Sequence, residues 1–543
     1  MEAPMSGHLF IVHGDLTLLS CDAWLVPCDI DAMPSRSWTR SFNHLQGRAQ
    51  RWAEPTEEWR RGTQRMLKVV EWEDHLPRPW VGNVAAVPST DVSWFVAGAE
   101  EFIERVTDDL HAHATPPRNG RAKHLLALPV IGTRYGGKRH WTGDVVRALV
   151  PVLQKMAAVK DVDIALVSND ELTYASAQAQ REANPAAWPD LDERLWHKGE
   201  RLAHIAANGD LVLFVGAGVS KNAGLPDWGG LLRDLARNAG MTEEELGALK
   251  ELGALDQARV IELRMETGLP PQASKRILGE RIADAFARVH GYALSHALLA
   301  ALPSREVITT NYDTLFERAS QAAGMTVSVL PHEPQSGASR WVLKMHGCVT
   351  DPDNIVLTRE DYMRYDLRRQ ALAGIVQALL LMRHMLFIGF SLRDDNFHRI
   401  ADAVRRARVP AKADATSPAG RFGTALSLFS SPLEQSLWGN DLDWVNMQST
   451  SPPAGRSEES DKAWAHAARR LELFLDSLLA RTGTTAYLLH PRFEGALSDP
   501  ERGLADKLQR FLDEVDRDPT VKAAPAWKYL ETLLHRLGWP RTP

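Results

Sequence analysis

The apolar positions of the chain follow two alternating rhythms. Short continuous runs, Leu211-Val212-Leu213-Phe214-Val215 foremost, stop abruptly at glycine and predict buried parallel strands. Val307-Ile308-Thr309, Trp341 to Met345 and Met385-Leu386-Phe387-Ile388 are further runs of this kind. Between them apolar residues return at helical spacing, as from Leu231 to Ala239, with Gly240 as a C′ stop. Thr242-Glu243-Glu244-Glu245 has the form of a capping box and opens another helix. Strands alternating with helices predict an α/β fold with an open parallel sheet covered by helices on both faces, over residues 190–449.

Residues 1–183 show the same alternation independently. Leu9 to Val12, Asp22 to Pro27, Leu125 to Val130 and Ile164 to Val167 read as strands, and Val145 to Ala157 as a helix. Three joints rich in Pro, Ala and Ser interrupt the chain. Asn184 to Asp190 is read as a domain boundary, Pro410 to Gly420 as an insertion loop, and Thr450 to Ser460 as the lead-in to a helical C-terminal region, 460–543. There Trp464, Ala468, Leu471, Leu475 and Leu478 share one face, as in a helix that docks on the core or on another subunit.

Composition narrows the function. Lys plus Arg is 63 and Asp plus Glu 69 in 543 residues, a net charge of −6. A mildly acidic chain is a poor phosphate-backbone binder, so nucleic acid is not the expected partner. Arg36, Arg40, Arg48, Arg51, Arg60, Arg61, Arg65 and Lys68, interleaved with Trp38, Trp52 and Trp59, sit among Glu54, Glu57 and Glu58 and read as a solvated helical surface rather than a nucleic-acid patch. Three cysteines rule out a disulfide framework or a four-cysteine zinc site, and no metal is expected. The longest apolar run, Ile375 to Phe390, is broken by Arg383 and His384, too short and too charged to span a bilayer. The N-terminus lacks a secretory pattern. The expectation is a cytoplasmic protein with no membrane partner.

The chemistry-bearing residues cluster at the ends of the predicted strands, where open parallel sheets bind ligands. The first strand runs into Gly216-Ala217-Gly218-Val219-Ser220, then Gly224-Leu225-Pro226-Asp227-Trp228. The glycines permit a sharp turn and a close ligand approach, or simply a tight turn. The dinucleotide fingerprint would need glycine at 221, which is Lys221. Next come Thr309-Thr310-Asn311-Tyr312-Asp313, where Asp313 serves equally as a helix cap, and Lys344-Met345-His346-Gly347, where His346 suits a base near neutrality or a turn. Gly389-Phe390-Ser391 follows the last core strand, with Asp394 a further cap candidate.

This order of motifs resembles the sirtuin family, which carries G-A-G-x-S, G-[IL]-P, Asn-x-Asp, His-Gly and a late G-x-S. The resemblance covers roughly Leu191 to Met447 and implies a Rossmann-like sheet. Sirtuin deacylases usually follow His-Gly with two Cys-x-x-Cys pairs, but here only Cys348 is near. Thr-Asn-Tyr-Asp and Gly-Phe-Ser-Leu-Arg-Asp-Asp look most like sirtuin-like effector domains of bacterial anti-phage defence proteins, which hydrolyse NAD. The resemblance implies NAD as substrate, with Asn311, Asp313 and His346 catalytic. Gly216, Ala217, Gly218, Ser220, Pro226, Asp227, Trp228, Thr310, Gly389 and Ser391 would bind the dinucleotide. The leading reading is an NAD hydrolase, a homo-oligomer held inactive until a phage-derived or partner-protein trigger releases it. The alternatives are an ADP-ribosyl or acyl transferase and a non-catalytic NAD or ADP-ribose sensor.

Gly14-Asp15-Leu16-Thr17, Asp22-Ala23-Trp24-Leu25-Val26 and a late glycine loop resemble a macro domain, the ADP-ribose-binding module. That resemblance implies a nucleotide site at Asp15, Gly132, Thr133, Tyr135 and Gly136, taking ADP-ribose or a cyclic ADP-ribose-like ligand in a regulatory role. The family's asparagine after the second strand is replaced here by Pro27-Cys28-Asp29.

Overall fold

A computed structural model describes residues 6–36, 38, 52–84, 91–133, 139–181, 185–265, 271–333, 337–408, 420–451, 455 and 457–540. The chain divides into two compact units. One comprises Met1–Asp192, Ala322–Gly324 and Asp476–Pro543, the other Glu193–Gln321 and Met325–Leu475.

The first unit is built on a six-stranded sheet. Its strands are β1 (Leu9–His13), β2 (Ala23–Cys28), β3 (Met66–Lys68), β4 (Arg78–Asn83), β5 (Leu125–Pro129) and β6 (Asp163–Ser168), in the order β1-β6-β5-β2-β4-β3. All neighbours run parallel except β3, which pairs antiparallel with β4 at the edge. The expected strands and the helix Thr142–Lys160 form where the apolar runs place them. The basic stretch is corrected in part: Arg60 ends the short helix Glu57–Arg60, Trp59 is fully buried, and Lys68 lies on a strand bonded to Asp109. Arg40, Arg48 and Arg51 of that stretch fall outside the described residues.

The C-terminal residues of this unit pack inside it. Tyr487 and Phe493 join Ala175 in one cluster, and Leu489, Leu512, Val515, Trp527 and Leu534 form a second. Asp476 is an ionic anchor: its fully buried carboxylate accepts from His8 Nε2 at 2.8 Å, Arg181 Nη1 at 2.6 Å, Arg181 Nη2 at 3.0 Å and Trp188 Nε1 at 2.9 Å. Burial opposes this charge, but Arg181 and His8 more than offset it and hold the carboxyl below its usual range. Asp476→Ala would leave the Arg181 cation buried and uncompensated. It is expected to cost the first unit about 3–5 kcal/mol, read as a shifted urea midpoint. A loss under about 1 kcal/mol would show that the anchor contributes little.

The second unit carries a seven-stranded parallel sheet: β7 (Leu211–Val215), β8 (Glu306–Thr309), β9 (Val327–Leu330), β10 (Arg340–Lys344), β11 (His384–Ile388), β12 (Gly423–Phe429) and β13 (Leu442–Gln448), in the order β13-β12-β11-β7-β8-β10-β9. Both faces are buried, which explains the continuous apolar runs of β7 and β11. Phe214 anchors one face, with Phe387, Phe390 and Phe397 within 5.2 Å ring to ring. The helix Trp228–Asn238 starts where Asp227 accepts from Gly230 N, and Gly240 follows its end with positive φ. The Thr242–Glu245 capping box is present.

Among the described residues no helix is long and apolar enough to cross a membrane.

Candidate functional site

The four motif-bearing strands are neighbours in the sheet, β11-β7-β8-β10. Their carboxyl ends lie level: Val215 pairs with both Ile388 and Thr309, and Thr309 with Lys344. Asn311 and His346 each lie two residues beyond one row of this register. The Gly216 loop, Thr310, His346 and Gly389 therefore stand along one sheet edge, as the order of motifs anticipates.

The two glycine loops are set against each other. Gly218 N donates to Gly389 O at 2.9 Å, and a Cβ on Gly216 or Gly218 would lie within 3.0 Å of Gly389 backbone atoms. These glycines are needed for this approach, whatever else they contact. After β10, Gly347 turns with φ +90°, and a Cβ there would meet Asn354 O at 2.5 Å. Arg369 fixes the same turn by donating to the carbonyls of Met345 (3.0 Å) and Asn354 (2.6 Å).

Beneath the β7 and β8 ends lies a buried polar network. Ser220 Oγ donates to Asp313 Oδ2 at 2.9 Å. Asn311 Nδ2 donates to Ser220 Oγ and to Gly216 O, each at 3.2 Å. His296 Nε2 lies 3.3 Å from Ser220 Oγ. Asp313 Oδ1 meanwhile accepts from Leu315 N at 3.0 Å, so Asp313 both caps a helix and joins the network. With Asn311 Nδ2 engaged twice, its Oδ1 is left as an acceptor, buried and without a hydrogen-bond partner. Below, Lys344 Nζ pairs with Glu317 at 2.7 Å and donates to the Asp313 carbonyl.

His346 belongs to a second group. Its Nε2 is 3.5 Å from Asp394 Oδ2, which also accepts from Tyr362 OH at 2.8 Å. Burial pushes the imidazole below its ordinary pKa; Asp394 works against this and Arg369 with it. Asp394 also caps the following helix through Phe397 N at 2.9 Å, as anticipated.

The remaining expected contacts are spread along the edge. Ala217, Gly218 and Ser391 are exposed, Thr310 and Pro226 half-buried, and Asp227 is an exposed cap. Ser220, expected to bind the dinucleotide, is 2% exposed and its hydroxyl is already engaged by Asp313. Trp228 packs on the helical cluster with its ring 6.4 Å from Tyr312, its indole nitrogen buried without a partner. A cavity of about 300 Å³, walled by Leu225, Phe286, Arg318 and Val349, reaches Asp313 but not Asn311 or His346. Among the described residues no cluster of His, Cys, Asp and Glu gathers as a metal site.

His296 was not anticipated. The only sequence signal is one histidine in the otherwise small and apolar helix Leu294–Ala301, where it is fully buried.

In the first unit a cavity of about 910 Å³ opens at the carboxyl ends of β1, β2, β5 and β6. Asp15, Gly132 and Thr133 line it, joined by Asn169, Asp170 and Arg492. Tyr135 and Gly136 lie outside the described residues. Asp15 Oδ1 accepts from Thr17 N at 2.9 Å and Thr17 Oγ1 at 2.8 Å, so part of that carboxylate serves the loop itself.

Residues 305–418 match the SIR2-like domain family, so the chain carries a SIR2-like domain. A protein named NAD(+) hydrolase ThsA from Enterococcus faecium is 32% identical over 212 residues, 38% of this chain and 42% of that protein. Its namesake from Bacillus cereus (strain MSX-D12) is 30% identical over 200 residues, 36% and 40% of the two chains. Defense-associated sirtuin 2 of Bacillus subtilis is 27% identical over 227 residues, 40% of this chain and 21% of that protein. The matches thus span less than half the length of these curated relatives.

Proposed function

We propose that the SIR2-like domain hydrolyses the N-glycosidic bond of NAD, releasing nicotinamide and ADP-ribose. The observation that carries this reading is the row of four level strand ends, which sets a glycine-rich cradle along the same edge as the unpartnered Oδ1 of Asn311 and the imidazole of His346. The relatives named as NAD(+) hydrolases support it.

The bond that breaks joins C1′ of the ribose to the nicotinamide nitrogen. Nicotinamide leaves neutral, so no general acid is required; positive charge grows on C1′ and O4′. Asn311 Oδ1 accepts from the attacking water or a ribose hydroxyl and fixes its direction. The Asp313 carboxylate supplies a field that favours the growing cation. His346, kept neutral by burial, takes the proton as water adds to C1′. Gly216, Gly218 and Gly389 form the floor for the pyrophosphate, with Trp228 a wall that limits solvent. No pair of Cys-x-x-Cys motifs is present to support a peptide-binding zinc module, which favours water over an acyl-lysine as acceptor. The test is product analysis after mixing the full chain with NAD. Equimolar nicotinamide and free ADP-ribose support hydrolysis; ADP-ribosylated protein supports transfer; bound, intact NAD supports a sensor.

The first-unit cavity supports a regulatory reading. We read the chain as a cytoplasmic homo-oligomeric defence effector that a nucleotide or partner-protein trigger releases, with the macro-like unit as the receiver. Calorimetry on the full chain carrying Asn311→Ala is expected to show ADP-ribose or a cyclic isomer binding with one site per chain. No heat from any of them would remove the nucleotide-receiver role.

A further inference from the structure

We propose that His296 is a positioning residue that fixes the Ser220 hydroxyl and, through it, the working orientations of Asn311 and Asp313. The inference rests on the reading of those two side chains as the reacting site. His296 sits at the third position of the helix Leu294–Ala301, and its Nδ1 accepts from Ala293 N at 3.2 Å. A nitrogen that accepts carries no proton, so the proton is on Nε2, which faces Ser220 Oγ at 3.3 Å. Burial lowers the imidazole pKa to about 4, with Asp313 raising it and Lys344 lowering it, so the ring stays neutral and the donor pattern holds across the physiological range.

The consequences follow from counting donors. Ser220 Oγ receives N–H groups from His296 and Asn311, filling its two lone pairs. Its own proton must then point out, and Asp313 Oδ2 receives it at 2.9 Å. The same arrangement forbids a flipped Asn311 amide, because an Oδ1 in place of Nδ2 would face the Gly216 carbonyl at 3.2 Å. The Gly216 carbonyl thus selects which Asn311 atom is left unengaged, and His296 holds the Ser220 hydroxyl in the orientation that both Asn311 and Asp313 meet.

The test compares His296→Phe, which keeps the ring volume and loses the donor, with His296→Gln, which returns a donor at similar reach. In His296→Phe, kcat for nicotinamide release is expected to fall about tenfold or more, with KM for NAD within about twofold, and His296→Gln to recover most of the loss. This is the effect of misplacing a reacting group without removing a ligand contact. A His296→Phe enzyme with unchanged kcat would overturn the proposal. So would a loss that follows thermal stability equally in both variants. Crystal structures of both variants give a readout independent of turnover. Rotation of the Ser220 side chain or the Asn311 amide in His296→Phe, restored in His296→Gln, supports the positioning role even if the wild-type chain cleaves no NAD. Unmoved side chains would overturn it.

Discussion

Replacing Asn311 with alanine is expected to lower the rate of nicotinamide release by about two to three orders of magnitude, the range seen when a positioned polar group facing developing charge is removed. The reason lies in the three roles of one amide. Its nitrogen ties the end of β8 to the Gly216 loop and to Ser220, and its oxygen remains as the buried acceptor at the sheet edge. Alanine removes the acceptor and leaves the Ser220 oxygen one donor short. The fold should survive, because the strand register of β8 with β7 and β10 does not depend on this side chain. The measurement is single-turnover nicotinamide release beside a thermal melt. Full activity in a folded Asn311→Ala protein would remove the carboxamide from the mechanism.

His346→Ala is expected to reduce the rate by about 10²–10⁴, the contribution of a placed general base. The pH dependence gives a finer check. As a base, His346 must be neutral, and burial lowers its pKa below the ordinary 6.5. Activity should therefore persist below pH 6.5 and fall only as pH drops through the lowered value. Asp394 opposes the lowering, so Asp394→Asn should move this acid limb to still lower pH. Tyr362, Tyr365 and Arg369 also face the ring; burial raises the Tyr362 phenol above its ordinary pKa, and Arg369 acts in the lowering direction on His346. A limb that moved upward in Asp394→Asn would contradict the assignment. Because Asp394 also caps the helix Asp395–Ala407, the variant's stability is measured alongside.

Much of this arrangement was legible because continuous apolar runs admit few alternatives. β7 and β11 are buried on both faces, and a buried parallel strand must be apolar throughout. The alternation of strands and helices puts the four strand ends on one side of an open parallel sheet, and the register shows them level. What escaped the sequence depends on partners far away along the chain. Arg340 opens β10 although it is charged, because its guanidinium donates to the carbonyls of Ala300, Leu302 and Ser304 in full burial. The helix after the Gly216 loop begins at Trp228, earlier than the apolar spacing suggests, because the Asp227 cap outweighs the poor helix propensity of Gly229 and Gly230. His296 was invisible because one histidine in an apolar helix has no pattern; only the approach of that helix to Ser220 gives it meaning. The resemblance puts Ser220 at the dinucleotide, yet its hydroxyl is consumed inside the network.

The most direct measurement is a crystal structure of the chain with a non-hydrolysable carba analogue of NAD. The account predicts the nicotinamide-bearing ring over the ends of β8 and β10, with Asn311 Oδ1 and the His346 imidazole each within hydrogen-bond reach of the ribose or of a water facing C1′. An analogue bound with that ring elsewhere, and Asn311 and His346 touching neither ribose nor water, would contradict it.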